Sequence, residues 1–290
     1  MMPIVARTRL GLAAARRGLG SPVVLVPTMG ALHDGHRALI RRAREIASPN
    51  GSVVVSVFVN PLQFGAGEDW GRYPRTLDDD VVIAAGEGAD LVFAPSAAQM
   101  YPRPQLITVD PGPLGRILEG ESRPGHFAGV LTVVAKLFQL TRPDAAVFGD
   151  KDAQQLALVS RMAQDLDLGT EIAGVPTVRD ADGLAISSRN RFLSTAGRRT
   201  ALLLPAALRA GQEAAHAGPA AVRKAAGEVL ATAADPPLQL DYLALVDPDM
   251  FEDVGDEHAG PALLLVAARV GTTRLIDNTL LSLECHAADH

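Results

Sequence analysis

The chain has 290 residues, a formal net charge of −6, and 48% hydrophobic against 21% charged residues. That balance describes a globular protein with a large core, and the acidic total argues against a broad nucleic-acid or membrane surface while leaving room for a local basic cleft. Cys285 is the only cysteine, which excludes a disulfide within the chain and makes the cytoplasm its expected home; no apolar run approaches the length of a membrane span.

Arg7, Arg9, Arg16 and Arg17 all precede the first acidic residue, Asp34. Such a start suits either a transit segment or an opening helix. Thr8 as a cap for a helix over 9–17, leading through Gly18-Leu19-Gly20-Ser21-Pro22 into a strand, favours the helix. The strand is Val23-Val24-Leu25-Val26, a buried β-branched run. A helix over 37–47 follows, with Leu39, Ile40, Ala43, Ile46 and Ala47 on one face. Between strand and helix lies Pro27-Thr28-Met29-Gly30-Ala31-Leu32-His33-Asp34-Gly35-His36. A helix entrance attracts anions, Gly30 and Gly35 let backbone approach a ligand, and His33 and His36 add donors or charge. Neither phosphate-loop nor dinucleotide spacing is present, and a capped helix with two solvent histidines remains an alternative.

A second strand is expected over 52–60, apolar enough to be covered on both faces. It ends at Asn60-Pro61-Leu62-Gln63-Phe64, where the amides Asn60 and Gln63 suit either ligand binding or loop backbone. A helix around 78–87, a strand over 91–94, the Pro-rich passage at Tyr101-Pro102-Arg103-Pro104 and an apolar helix over 128–140 come next. A strand over 145–148 ends in Gly149-Asp150-Lys151-Asp152, and a helix with Gln155, Leu156, Val159, Met162, Ala163 and Leu166 at helical spacing follows. A strand over 172–178 precedes Ile186-Ser187-Ser188-Arg189-Asn190, where hydroxyls and a guanidinium suit either a phosphate grip or a cap and salt bridge. This alternation implies a doubly wound parallel, Rossmann-like α/β sheet with ligands at the carboxyl ends of its strands. Ala-rich helices over 195–217 and 219–234, and strands over 238–246, 262–268 and 273–277, suggest a smaller C-terminal α+β domain with a loose tail at 285–290. The expected division is 1–184 and 185–290.

Together these motifs resemble the pantothenate synthetase family, and His33-Asp34-Gly35-His36 resembles the H-x-G-H signature of the wider nucleotidylyltransferase superfamily. The resemblance implies ATP-dependent condensation of (R)-pantoate with β-alanine, through a pantoyl adenylate, to pantothenate, AMP and pyrophosphate. It implies that Met29, Gly30, Ala31, Leu32, His33, Asp34, Gly35, His36, Gly149, Asp150, Lys151, Asp152, Val178, Ile186, Ser187, Ser188 and Arg189 line the ATP site. His36 stands at the proton-donor position, with His33, Lys151 and Arg189 as further catalytic groups. Gln63 and Gln155 would hold pantoate, and Gln63 would also meet β-alanine. Asn60, Tyr73, Arg123 and His126 are second-rank candidates. Mg²⁺ is expected with ATP rather than in a protein cage, with no tightly bound prosthetic group, no nucleic acid, no membrane, a homodimer, and a C-terminal domain closing over the site. Ile186, Leu62, Asp34, Asp150 and Ala153 depart from the family's usual residues, and none removes a group that does chemistry. The competing expectations are a transferase of the same superfamily and a silent ATP-binding regulator.

Overall fold

The computed structural model describes residues 2–65, 69–232 and 234–284. Cys285 and the tail to residue 290, and loop residues 66–68, lie outside them. The chain forms two compact units, one of residues 1–150 with 154–176 and one of 151–153 with 177–290.

The first unit is a six-stranded parallel sheet: β1 (Ile4–Ala6), β2 (Val23–Thr28), β3 (Ser52–Val57), β4 (Leu91–Phe93), β5 (Ala145–Gly149) and β6 (Glu171–Val175), in the order β1-β4-β3-β2-β5-β6. From β2 the chain winds outward through β3 to β4, then returns to lay β5 on the other side of β2. The winding therefore reverses between β2 and β5, where parallel sheets open a crevice. Successive strand residues serve opposite cores, as a period of two requires. Val23, Leu25, Val54, Phe93 and Phe148 pack toward α1 (Arg9–Arg16), α6 (His126–Thr141) and α7 (Ala153–Asp165). Val24, Val26, Val53, Val55 and Val147 pack toward α2 (Asp34–Ala47) and α3 (Leu77–Gly86). The short helices α4 (Ala97–Met100) and α5 (Glu119–Ser122) complete the unit.

Several boundaries differ from expectation. Helix α1 does start as expected, where Thr8 accepts a hydrogen bond from the Gly11 amide at 3.0 Å. Helix α2 begins three residues before its apolar periodicity does, so Asp34, Gly35 and His36 form its first turn. Strand β3 stops at Val57 rather than Asn60, because Asn60 caps a tight turn over Pro61–Gln63 and accepts the Leu62 amide. Strand β6 stops at Val175, before Pro176, so Val178 lies beyond it. On α7 the buried amide is Gln154, while Leu166 falls just past the helix end and is exposed.

The second unit packs α8 (Thr195–Ala201), α9 (Leu203–Glu213) and α10 (Pro219–Leu230) with an antiparallel sheet of β7 (Leu238–Val246), β8 (Gly260–Val270) and β9 (Thr273–Leu283). The expected helix over 195–217 is broken at Leu202, which caps both α8 and α9. Leu204, Leu208, Val222, Leu264 and Val266 lie in its core.

Candidate active site

The turn after β2 is built by two side chains that satisfy backbone. Thr28 Oγ1 donates to the Ser56 carbonyl at 2.7 Å and accepts the Gly30 amide at 3.1 Å. Gly30 then turns into the left-handed region with φ 84°, and Ala31 follows at φ 51°. Asp80, 1% exposed on α3, accepts the Ala31 amide at 3.2 Å and the Leu32 amide at 2.8 Å. A Cβ at position 30 would sit 2.8 Å from Asp80 Oδ2, so glycine is required by space as well as by φ. Burial pushes the Asp80 carboxyl above its usual range, against the pull of the two amides. The amides of Ala31 and Leu32 are thus engaged by Asp80.

His33 caps α2, and its backbone amide donates to His36 Nδ1 at 3.2 Å. That bond makes Nδ1 the acceptor, so the neutral ring carries its proton on Nε2. The two imidazoles lie 4.0 Å apart between centroids. Crowding by protein, and secondarily the charge of His33, push the His36 pKa down to about 3. His36 is therefore a neutral N–H donor near pH 7.

Gln63 is 9% exposed, in the turn after β3. Its direction is settled by neighbours with one hydrogen-bonding role each. Asn60 Nδ2 faces the Gly129 carbonyl at 3.1 Å, and Asn60 Oδ1 faces the Leu62 amide at 3.3 Å, so Asn60 cannot be reversed. Tyr101 then donates to Asn60 Oδ1 at 2.7 Å, while Asn60 Nδ2 donates to Gln63 Oε1 at 3.1 Å. Burial raises the Tyr101 pKa, which keeps the phenol a donor. The Gln63 amide nitrogen is left on the side of Met29, with Sδ at 3.2 Å, so Gln63 offers N–H groups where Asn60 does not reach. Gly129 lets this turn lie against α6, since a Cβ there would fall 2.2 Å from the Leu62 carbonyl oxygen. His126 Nδ1 lies 2.8 Å from the Gln63 main-chain oxygen and Arg123 Nη1 lies 3.0 Å from His126 Nε2. An acceptor-only carbonyl puts the His126 proton on Nδ1 and leaves Nε2 to accept from Arg123.

The structure thus brings Gln63 to Met29, whereas Asn60, His126 and Arg123 are occupied in holding Gln63. Tyr73 is buried, with its ring 6.1 Å from that of Phe64. On α7, Gln154 is consumed by the Glu119 amide and the Leu114 and Ile117 carbonyls, while Gln155 is partly exposed. Gly149 ends β5, and burial raises the carboxyl of Asp150 beside it.

In the second unit, residues 178–190 form a closed loop. Ile186 donates to the Val178 carbonyl at 2.9 Å, Arg179 bridges to Ala185, and Asn190 Nδ2 donates to the Ala185 carbonyl at 3.0 Å. Ser187 caps the turn over Ser188–Phe192 by accepting the Arg189 amide at 3.3 Å. Its hydroxyl therefore has the cap role that the sequence left open, and Ser188 and Arg189 are partly exposed beside it. Arg179 grips the buried Asp277 carboxylate at 2.6 and 3.0 Å, and Arg198 pairs with Asp180 and Asp182. Lys151 and Asp152 lie on a short turn (Asp150–Asp152), and the Lys151 carbonyl accepts from Asn278 Nδ2 at 2.9 Å. Among the described residues no group of three or more His, Cys, Asp or Glu side chains is placed to hold a metal, and no helix is long and apolar enough to cross a membrane.

Sequence reading missed Asp80, Tyr101, Asp277 and Asn278. Asp80 shares the face of Leu77, Val81 and Ala84, and a carboxylate on an apolar stripe was the available signal. Asp277 likewise falls on the buried alternation of Leu275, Leu281 and Leu283.

The sheet order, with an imidazole-bearing first turn beyond β2 at the point where the winding reverses, defines a doubly wound, Rossmann-like α/β protein. Residues 4–280 match the pantoate–β-alanine ligase family, and the chain belongs to that family. It is 59% identical over 289 residues to a pantothenate synthetase of Thermobifida fusca, covering 97% of this chain and 96% of the relative. A Streptomyces coelicolor pantothenate synthetase is 56% identical, with the same coverage. Among solved structures, the pantothenate synthetase of Thermus thermophilus superposes with a TM-score of 0.88 at 47% identity, over 95% of this chain and 98% of that one. The Francisella tularensis pantoate-β-alanine ligase, complexed with β,γ-ATP and β-alanine, gives 0.78 at 33% identity over 96% and 97%.

Proposed function

We propose that the chain condenses (R)-pantoate with β-alanine at the expense of ATP, in two steps. A pantoate carboxylate oxygen attacks the α-phosphorus of ATP, the bond to the β-phosphate oxygen breaks, and pyrophosphate leaves. The β-alanine amine then attacks the acyl carbon of the pantoyl adenylate, AMP leaves with the bonding electron pair, and the amine loses a proton. Adenylation is needed because a carboxylate is a poor acyl donor. The protein's contribution is orientation and charge stabilisation.

Residue roles follow from the chemistry each group can offer. Neutral His36 donates through Nε2 to a phosphate oxygen without first needing a proton, and His33 lies beside it on the turn formed by Met29, Gly30, Ala31, Leu32, Asp34 and Gly35. Lys151, Ser188 and Arg189 supply charge and donors to the phosphates, with Ser187 shaping their loop. Gly149, Asp150, Asp152, Val178 and Ile186 complete the nucleotide surface. The Gln63 amide N–H groups meet acceptor oxygens of pantoate and lie near β-alanine, and Gln155 holds pantoate as well. Mg²⁺ enters with ATP as the substrate complex. Family resemblance alone supports action as a cytoplasmic homodimer, with the C-terminal domain closing over the site.

The observation that carries this reading is the family match over residues 4–280, on a chain that keeps His33, His36, Gln63, Lys151 and Arg189. Exchange of labelled pyrophosphate into ATP, with Mg²⁺ and pantoate but without β-alanine, tests the first step. Pantoate-dependent exchange is the expected result. Absence of exchange together with absence of AMP on adding β-alanine overturns it; pyrophosphate release without AMP would point to a transferase.

A further inference from the structure

Strand β9 holds two consecutive polar residues that are buried: Asp277 is 3% exposed and Asn278 is 8% exposed. Their side chains grip two stretches of chain that are far apart in sequence. Asn278 Nδ2 donates to the Lys151 main-chain carbonyl at 2.9 Å. Asp277 receives both terminal nitrogens of Arg179, at 2.6 and 3.0 Å, and its Oδ1 also accepts the Asn278 amide at 2.9 Å. Arg179 in turn opens the closed loop that ends in Ser187, Ser188 and Arg189. One dipeptide therefore fixes the backbone beneath the lysine and anchors the loop that presents the arginine.

We propose that Asn278 is a positioning residue for Lys151. The proposal rests on the reading that Lys151 serves the ATP phosphates. A lysine side chain is a compact charge on a flexible stem, so its reach is only as well defined as the Cα from which it starts. The turn over Asp150–Asp152 is a single short 3₁₀ segment, which holds its own geometry weakly. A buried amide donor at the Lys151 carbonyl supplies a fixed point. Preorganised charge loses catalytic value quickly when it is misplaced.

The test is a double-mutant cycle in the full chain, read by pantoate-dependent pyrophosphate exchange. Asn278→Asp keeps the shape but sets a carboxylate oxygen against the carbonyl. Asn278→Ala removes the donor without burying a charge. Each is expected to slow exchange about tenfold, the scale of one lost hydrogen bond with its partner stranded. In a Lys151→Ala background the same changes are expected to alter the residual rate by less than about twofold, because coupled residues are not additive. Wild-type exchange in both Asn278 variants, or an equal loss in the two backgrounds, overturns the proposal. So does loss of the cooperative thermal transition in Asn278→Ala, which would make the residue structural. If the unmodified chain itself shows neither exchange nor AMP formation, the functional reading falls and this inference with it; an active parent with active variants removes the inference alone.

Discussion

The His36 ring makes the acid sensitivity of the first unit calculable. In the unfolded chain the imidazole takes up a proton near 6.5, whereas in the fold it resists until about 3. A histidine depressed in this way contributes stability that is complete above 6.5 and is lost as pH falls toward the folded value. At pH 5, about 1.5 pH units below the unfolded pKa, the full effect would be about 2 kcal/mol at 1.36 kcal/mol per unit. His36 keeps some solvent exposure, and screening reduces the expected loss to about 1 kcal/mol. The comparison is with His36→Gln, whose carbonyl can still accept the His33 amide but which cannot titrate. Trp70 is the only tryptophan in the chain and sits in the first unit with the Arg75 guanidinium 5.6 Å over its ring. Urea unfolding followed by Trp70 fluorescence at pH 7.5, 6 and 5 therefore reports on the relevant unit. Between the end points the parent should lose about 1 kcal/mol more than His36→Gln. Parallel losses in the two proteins would refute the assignment of a neutral His36 ring.

Four further outcomes are expected. Gly30→Ala combines a positive φ with a Cβ 2.8 Å from Asp80 Oδ2, and should cost about 2–4 kcal/mol by the same urea assay while raising KM for ATP. Asn60→Asp, which places an acceptor opposite Gln63 Oε1, should raise KM for pantoate about tenfold and leave KM for ATP unchanged in steady-state kinetics. Lys151→Ala should lower pyrophosphate exchange about a hundredfold or more with a melting temperature within about 2 °C of the parent; exchange at the parental rate would remove its assigned role. Asp277→Ala strands Arg179, itself about one-third exposed, and should destabilise by about 3 kcal/mol in calorimetry.

Where the periodicity of apolar residues ran the full length of an element, the sequence read true. The buried runs of β2 and β5 and the stripe of Ile40, Ala43 and Ala47 were visible because a core demands them. Elements whose ends are decided by backbone satisfaction were not. The first turn of α2 contains Asp34, Gly35 and His36, which show no apolar pattern, and only the His33 cap reveals that helix has begun. Strand β1 is three residues long on the sheet edge, with Ile4 and Val5 exposed, too short to register against its surroundings. Taken unit by unit, the imidazoles and Gln63 of the first and Lys151 of the second were legible as candidates by type and by position at strand ends. The groups that hold them were not, because Asp80, Tyr101 and Asn278 reach their targets across 48, 41 and 127 residues of chain. Long-range hydrogen bonds leave no local spacing to read.

Residues 151–153 belong with the second unit although the chain returns to the first for 154–176 before leaving it at Thr177. The two units therefore cannot be parted by one cut. A fragment starting at Thr177 would keep Asn278 and lose the carbonyl it grips, and one ending at Pro176 would keep Lys151 and lose its support. Recombination at a single joint, the usual way in which genes exchange modules, would break the lysine's footing in either product. The two units are thus inherited together or not at all.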